Sequence, residues 1–333
     1  MTKNLLRRGL TEEVTPSRFG GEGLPNHTSP DGKATLWATV PRRLYGCLPL
    51  KRGLGRFIML AARYREHLHM IPVEMSDGRI MYLDLREPMC MPYLLTGGIW
   101  EERGETQFFR SLVQPGELAV DIGANVGWYS TLLSQLVGSG GRVYAFELNP
   151  RAYRLLSQSA RPYAQLLVID QALGDENKEV NLYLPADGGM ASIGRSFNIR
   201  EVQTCGMTTL DDFLASRGEP VPAFIKCDAE GAELAILRGA TRTTSSPRPP
   251  LWMIELCELT CESLGYRPEA IIGYFKTFPK AGYQGYRINS QTGMLVAMPA
   301  SLSFRFNAVF VPAWLQERVA ELSTARVKGR VWS

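Results

Sequence analysis

Histidine is scarce in this sequence, which has only three in 333 residues, all of them before residue 70. The rest of the chain therefore has no imidazole to act as a general base or a metal ligand. Cysteine is also sparse, and its six residues show no paired spacing, which excludes a disulfide scaffold and argues against a zinc site. A hydrophobic fraction of 45% and a charged fraction of 21% exclude a disordered or fibrous chain.

Long apolar runs are absent as well. No window approaches 18 consecutive apolar residues, so the sequence predicts no membrane-spanning helix. Arg7 and Arg8 are not followed by an apolar segment, and we therefore predict no secretory signal and expect a cytoplasmic protein. The chain is long enough to bury a sizeable hydrophobic core.

Positive charge is concentrated at one end. Residues 1–70 hold 12 Lys and Arg against 5 Asp and Glu, whereas residues 71–333 hold 25 against 28. A slightly acidic body argues against a nucleic-acid partner. The basic segment 41–70 has a helical apolar pattern that fits a peripheral contact with a membrane or a protein, or a helix that covers the core with its charges in water.

The pattern along the chain predicts three regions. Residues 1–40 are predicted to form a flexible tail, 41–110 an accessory region with a helix and a hairpin, and 111–325 the main domain. In the main domain, short apolar runs alternate with helical stretches, which predicts an α/β fold with a mostly parallel sheet and helices on both faces. The predicted strands are 118–122, 142–146, 166–169, 223–227, 251–256, 282–288 and 304–311, and the predicted helices are near 126–137, 150–160, 231–238, 266–278 and 313–324.

The sharpest motif is a glycine loop between the first of these strands and its helix. Gly123 and Gly127 allow tight turns and close approach to a ligand, and Asp121 precedes them at the strand end. Asn125 occupies the place where a dinucleotide fingerprint has its second glycine, and no Gly-Lys-Ser or Gly-Lys-Thr follows to cradle phosphates. A carboxylate here favours a cationic ligand such as a sulfonium or an amine.

Two later strand ends complete a nucleoside site. Glu147 follows the second strand, where a carboxylate can accept hydrogen bonds from ribose hydroxyls. Asp170 and Gln171 follow the third strand, within reach of an adenine edge. A nucleoside that carries positive charge in place of phosphates is S-adenosylmethionine.

Four motifs, in order, resemble those of the FkbM-type methyltransferases. They lie within residues 70–312 and comprise 120–128, 146–150, 209–212 and 225–233. The resemblance implies the class I methyltransferase fold, a Rossmann-like sheet of seven strands, with S-adenosylmethionine as methyl donor and O-methylation of a hydroxyl on a small molecule, sugar or glycan. It also implies that Asp121, Gly123, Asn125 and Gly127 hold the methionine end of the donor, and that Glu147 holds its ribose.

One position departs from the family pattern. Such proteins often have a histidine shortly after the glutamate that matches Glu255, but here the sequence continues Leu256-Cys257. Any role of that histidine is therefore absent from this chain.

Without a nearby histidine, the base that deprotonates an alcohol must be a carboxylate, a lysine or a group of the ligand. Asp228 ends the fourth strand and is the candidate base, with Lys226 on the same strand face to keep it ionised or to orient the acceptor. Glu255 ends the fifth strand and is a further candidate. Glu230 and Glu233 are candidates too, or simply acids at a helix start. Asp228, Glu230 and Glu255 can in principle gather a magnesium ion, although we predict no metal ligand set.

Two further expectations concern the surroundings of the site. Residues 185–207 form a long glycine-containing loop that we predict to select the substrate, together with residues 71–110. Trp128, next to the glycine loop, is the tryptophan predicted to contact the donor.

Three other functions fit parts of the sequence. An RNA methyltransferase would share the donor site, although the acidic body argues against it. An NAD-dependent oxidoreductase would also use Glu147 for a ribose, although Asn125 breaks its glycine pattern. A non-catalytic protein with a vestigial fold would use the basic segment to bind a partner and would bind no donor.

Overall fold

The computed structural model describes residues 54–327, except 66–67, 100–101, 186–191, 194–198, 300–301 and 303–304. The predicted tail at residues 1–40 and the first part of the basic segment, 41–53, lie outside the described residues. In the part of the chain that the structure describes, no helix combines the length and the hydropathy needed to cross a bilayer.

A helix and a hairpin precede the main sheet. Helix α1 is Leu54–Arg63, and strands β1 and β2 are Ile71–Glu74 and Ile80–Leu83, paired antiparallel. Gly78 lies between them at φ +81°, the left-handed conformation that the Asp-Gly turn predicts. A 3₁₀ turn at Pro88–Cys90 leads into helices α2 (Met91–Thr96) and α3 (Arg103–Leu112).

The remaining elements follow the predicted alternation of strands and helices. In chain order they are β3 (Leu118–Ile122), α4 (Trp128–Val137), β4 (Arg142–Phe146), α5 (Pro150–Ala160), β5 (Leu166–Ile169), β6 (Ala172–Leu173), β7 (Lys178–Pro185), β8 (Ile199–Thr208), α6 (Leu210–Ser216), β9 (Phe224–Cys227), α7 (Glu233–Arg238), α8 (Thr241–Thr244), β10 (Leu251–Leu256), α9 (Glu258–Ser263), α10 (Glu269–Phe275), β11 (Gln284–Ile288), β12 (Leu295–Ala297), β13 (Phe306–Val311) and α11 (Ala313–Val327).

The main sheet has the strand order β12-β11-β13-β10-β9-β3-β4-β5. The pairs from β10 to β5 are parallel, and β13 enters antiparallel between β10 and β11. The order from β11 to β5, with β13 antiparallel near the edge, is the class I methyltransferase arrangement, and β12 adds a second antiparallel strand at that edge. The sequence predicted seven strands, whereas the described sheet has eight because Leu295–Ala297 pairs with β11.

The central strands are buried on both faces. Along β3 and β4, Ala119 and Val143 face one core cluster, and Val120 and Tyr144 face the other. The first cluster also includes residues of α1, α4, α5 and the hairpin, and the second includes residues of α6, α7 and α10. Both faces of the sheet are therefore covered by helices, and its strand ends remain as the place for a ligand site.

The prediction of a long loop at 185–207 was wrong for the second half of that range. Residues 199–208 form β8, which pairs antiparallel with β7 in a separate three-stranded sheet of order β6-β8-β7. Ile199 and Val202 are exposed on this strand, so it lacks the apolar run that marked the buried strands. Residues 186–191 and 194–198 of the predicted loop lie outside the described residues.

Candidate active site

The glycine loop is shaped by its close approach to the neighbouring strand end. Gly123 has φ +74°, and a Cβ built there would lie 1.8 Å from the carbonyl oxygen of Asp228. Gly127 has φ +94°, and a Cβ there would lie 2.5 Å from Cδ1 of Leu156. Both positions therefore require glycine, for conformation and for space. The loop between them turns into α4, which begins at Trp128.

Glu147, at the end of β4, holds the glycine loop in place through hydrogen bonds. Its Oε2 accepts a hydrogen bond from the backbone N–H of Asn125 at 2.7 Å, and its Oε1 accepts one from the N–H of Asn149 at 2.6 Å. Burial raises the pKa of Glu147 to about 7, although these amide contacts lower it. Each carboxylate oxygen can accept a second hydrogen bond, so capacity remains for ligand hydroxyls. We call residues 123–127 with Glu147 the donor side.

A cavity lies against the donor side and is lined by acids. Its lining includes Gly123, Asn125, Glu147 and Gln171 of the predicted donor residues, and Asp228 and Glu230 from the neighbouring strand end. The apolar part of the lining is formed by side chains such as Met89, Phe146 and Leu148. Among the described residues, three carboxylates and no Lys, Arg or His line this cavity. Its charge therefore favours a cationic over an anionic ligand.

Asp121 lies behind the loop and does not line the cavity. Its side chain is fully buried, and its Oδ2 accepts a hydrogen bond from the Ser130 hydroxyl at 2.5 Å. It is in register with Lys226 on the adjacent strand. Burial raises the pKa of Asp121, and Lys226 opposes the rise. Its position at the base of the loop, where it holds α4, differs from the expected place at the cavity mouth.

Trp128 and Asp170 are not part of the cavity lining either. Trp128 is buried and packs beneath Arg79, whose guanidinium carbon lies 4.2 Å from the ring centroid, and beside Tyr93 at 5.6 Å between centroids. As the first residue of α4, it lies in the core, and a contact between Trp128 and the donor stays a prediction. Asp170 directly precedes the lining residue Gln171.

Lys226 and Asp228 meet as predicted from their strand alternation. The Lys226 Nζ lies 3.2 Å from Oδ2 of Asp228 and 5.1 Å from the ring centroid of Tyr129. Burial lowers the pKa of Lys226, but the carboxylates of Asp228 and Asp121 outweigh that effect and raise the pKa above its usual value. Lys226 is therefore a fixed positive charge. The Oδ1 of Asp228 has no hydrogen-bond partner within the described residues.

Glu255 and Glu230 share a cation that the sequence analysis missed. The Arg305 Nε donates to Oε1 of Glu255 at 2.6 Å, and its Nη2 lies 3.8 Å from Oε1 of Glu230. Burial and the nearby Asp228 raise the pKa of Glu255 to about 8. Carboxylate oxygens of Asp228, Glu230 and Glu255 lie within 4.8 Å of one another, a spacing that also suits a divalent cation. We call Asp228, Glu230 and Glu255, with Lys226 and Arg305, the carboxylate cluster.

Glu233 has a structural role. Its Oε1 accepts hydrogen bonds from the N–H groups of Ala229 and Gly231 at 2.8 and 3.2 Å, and the Tyr266 hydroxyl donates to its Oε2 at 3.1 Å. The acid therefore ties the start of α7 to the turn before it, as the helix-start interpretation predicted.

Glu102 is a further acid beside the carboxylate cluster that the sequence did not indicate. It accepts a hydrogen bond from the Tyr129 hydroxyl. Burial raises the pKa of Glu102, and the positive charge of Lys226 lowers it. Glu102 and Arg305 lie about 200 residues apart in the chain and outside every motif, so only the folded sheet brings them together.

Comparisons with known proteins agree with this geometry. The family model of the methyltransferase FkbM domain matches residues 121–288, about half of the chain. The chain is 28% identical over 153 residues to the hexuronic acid methyltransferase AglP of Haloferax volcanii, which covers 43% of this chain and 59% of that protein. It is 36% identical over 72 residues to the protein-L-isoaspartate O-methyltransferase of Aeropyrum pernix, covering 22% and 28%.

The chain thus spans 28% and 59% of the length of these curated relatives. Among solved structures, the methyltransferase FkbM of Methylobacillus flagellatus is similar at 19% identity and a TM-score of 0.39, covering 62% of this chain and 50% of that one. The family model covers the glycine loop, Glu147, the carboxylate cluster up to Glu255 and the strands that carry them. On this match, the chain belongs to the FkbM methyltransferase family.

Proposed function

We propose that this protein is an S-adenosylmethionine-dependent O-methyltransferase that acts on a hydroxyl of a small molecule, sugar or glycan. The observation that carries the proposal is the charge of the cavity, which has carboxylates at Glu147, Asp228 and Glu230 and no cationic side chain among its described lining residues. Pyrophosphate would be repelled there, whereas a sulfonium is attracted.

The lining suits the donor group by group. Glu147 has acceptor capacity for two ribose hydroxyls, and Gln171 offers an amide to an adenine edge. Gly123 lines the cavity and lets the loop pack directly against the backbone of Asp228, which a side chain at this position would prevent. Asp121 contributes indirectly, because it anchors the helix that follows the loop.

The donor supplies an electrophilic methyl group, and the chain must hold the acceptor hydroxyl and remove its proton. Asp228 lines the cavity, and its buried Oδ1 has no hydrogen-bond partner among the described residues, so this carboxylate is the proposed base. Lys226 cannot take this role, because the surrounding carboxylates keep it protonated. Its Nζ lies 3.2 Å from Oδ2 of Asp228 and so fixes the position of that carboxylate.

Glu255 and Arg305 are proposed to orient the acceptor at the rim of the cavity. Glu255, with a pKa near 8, is able to hold a proton at neutral pH and so donate a hydrogen bond to a sugar oxygen. The hexuronic acid named for the Haloferax relative is an acceptor of this polyhydroxylated kind. We take it as support for a sugar acceptor here, with selection proposed to come from residues 71–110 and 185–207.

Calorimetry tests the donor assignment. We expect S-adenosylmethionine and S-adenosylhomocysteine to bind and NAD not to bind. Glu147→Gln should weaken donor binding because an amide replaces one acceptor oxygen with a donor. Glu262→Gln, an exposed acid in α9, is the matched control and should bind as the wild type does. Tighter binding of NAD, or full affinity in Glu147→Gln, would contradict the proposal.

The acceptor class needs a separate experiment. The protein is incubated with methyl-labelled donor and a metabolite extract, and the labelled product is identified by mass spectrometry. We expect label in an ether on a sugar or other hydroxylated compound. Label in RNA, or in no product although the donor binds, would overturn the acceptor assignment while leaving the donor site intact.

A further inference from the structure

A second, basic groove lies between α1 and the start of α5, beyond the wall that Pro88 and Met89 form beside the cavity. Its volume is about 890 Å³. Five arginines and one histidine line it, against two acids: Arg56, Arg63, Arg86, Arg151, Arg154, His69, Asp84 and Glu87. Only Arg56, Arg63 and His69 belong to the basic segment recognised in the sequence, so the fold adds three arginines from other elements.

Three of these arginines are not neutralised. Arg86 is paired with Asp84 at 2.6 Å, and Arg151 is paired with Glu87 at 2.7 Å. Both acids that line the groove are therefore already in ion pairs. Arg56, Arg63 and Arg154 are exposed, and none of them forms an ion pair with any residue that the structure describes. The groove therefore offers an excess of three positive charges to an anionic partner.

Apolar side chains lie beside these charges on the same helix. Phe57, Leu60 and Tyr64 are 69%, 52% and 83% exposed. At 3.6 residues per turn they fall on one face of α1 and its following turn, adjoining the line of Arg56 and Arg63. Aromatic and aliphatic side chains flanked by arginines are the composition of interfacial helices that lie on lipid surfaces.

The preceding segment of the chain is an unfavourable occupant for this surface. Residues 1–53 hold nine Lys and Arg and four Asp and Glu, so their charge has the same sign as the groove. An anionic bilayer satisfies both parts of the surface, because phosphate headgroups pair with the arginines and the interface accepts Phe57, Leu60 and Tyr64. RNA phosphates would pair with the arginines, but RNA would leave the side chain of Leu60 exposed to water.

We propose that the surface formed by α1 and the basic groove docks this protein peripherally on an anionic phospholipid bilayer. Arg56, Arg63 and Arg154 contact headgroup phosphates, and Phe57 and Tyr64 enter the interfacial layer. The proposal does not depend on the methyl donor or on the acceptor, because the groove and the cavity have separate linings.

Vesicle sedimentation of the full chain tests the proposal. We expect binding to vesicles of phosphatidylcholine mixed with phosphatidylglycerol and little binding to phosphatidylcholine alone. The triple variant Arg56→Gln, Arg63→Gln, Arg154→Gln should bind the mixed vesicles about a hundredfold more weakly, since each arginine near an anionic surface contributes about fivefold. Phe57→Ser with Tyr64→Ser should weaken binding at high salt, where the charge contribution is screened.

The matched control removes the same charge elsewhere. Arg200→Gln, Arg238→Gln and Lys276→Gln are exposed positions away from the groove, and this triple variant should bind as the wild type does. Equal losses in both triple variants would show a nonspecific charge effect and overturn the proposal. So would equal binding to both kinds of vesicle, displacement by soluble glycerol phosphate, or retention by RNA in preference to vesicles. Donor binding, measured in parallel, reports separately on the proposed function.

Discussion

The donor side and the carboxylate cluster hold their charges by different means. Glu147 is held by two backbone N–H groups from residues within 22 positions of it, and its cavity has no cationic side chain among the described lining residues. In the carboxylate cluster, the charge of Arg305 holds Glu255 from 50 positions away in the chain, and the charge of Lys226 holds Asp228 from two positions away. The first arrangement depends on loop geometry, and the second on a balance of ionised side chains.

Under the proposed function, this difference separates donor binding from proton removal. Backbone amides cannot change protonation, so the donor side can hold one fixed geometry. In the carboxylate cluster acids outnumber cations, and ionisation of one acid disfavours ionisation of the next. The protonation of one acid in this cluster therefore depends on the charge of its neighbours. Four experiments test this comparison.

The largest effect is expected from Gly123→Ala on the donor side. The new Cβ would collide with the carbonyl oxygen of Asp228 and would force an alanine to adopt φ +74°. We expect a loss of more than about 4 kcal/mol in the free energy of unfolding, or failure to fold. Gly138→Ala is the matched control, since φ is +63° there but the space is open, and it should lose about 1 kcal/mol. Equal losses in chemical denaturation would refute the packing argument.

Asp228→Asn should remove the base while sparing the donor side. We expect turnover to fall by about 10²–10⁴-fold with donor affinity close to that of the wild type. Single-turnover kinetics with labelled donor, together with calorimetry, separates the two quantities. Parallel losses of affinity and turnover would place Asp228 in donor binding, and unchanged turnover would assign the base elsewhere.

Donor binding should depend on pH through Glu147. The pKa of this acid is about 7 without ligand, and a cation or a ribose hydroxyl favours its ionised form. The group must therefore lose its proton on binding, and S-adenosylmethionine affinity should rise about tenfold from pH 6 to pH 8. Calorimetry across this range measures the rise. Glu147→Gln should bind weakly but with a much flatter pH dependence, and a full tenfold rise in that variant would exclude Glu147 as the titrating group.

The smallest effect is expected from Glu105→Gln, behind the carboxylate cluster. Burial raises the pKa of Glu105 to about 7, and its Oε2 has no hydrogen-bond partner among the described residues. Because the folded-state pKa is above the unfolded value, ionisation destabilises the fold as pH rises toward and beyond 7. The variant should therefore be more stable than the wild type by about 1 kcal/mol at pH 8 and by less near pH 5. Thermal denaturation of both proteins at pH 5 and pH 8 measures whether the variant gains stability relative to the wild type as the pH rises.

The sequence predicted the buried parts of the fold well. Predominantly apolar runs gave the bounds of β3, β4, β5 and β10 correctly, because strands in the middle of a sheet covered on both faces are rich in apolar residues. The strand β8 was missed because one of its faces is exposed, so polar residues and glycine interrupt it. The eighth strand, β12, was missed because it is three residues long and partly exposed.

The residues of the site also differ in how well the sequence could predict them. Gly123 and Glu147 are fixed by local geometry at the end of a strand, so spacing alone could indicate them. The packing of Trp128 against Arg79 could not be predicted, because adjacency to the loop does not determine which way the first residue of a helix points. Glu102 and Arg305 could not be found, since their position depends on packing between segments about 200 residues apart.

The contact between Gly123 and Asp228 has a consequence for how acceptors can be exchanged during evolution. The N–H of Asp228 also donates to the carbonyl of Ile122 at 3.0 Å, so a backbone hydrogen bond joins the glycine turn to the strand end that carries the proposed base. Mutations that reshape peripheral segments would leave this shared frame unaltered. A lineage could thus acquire new specificity without rebuilding its reactive centre.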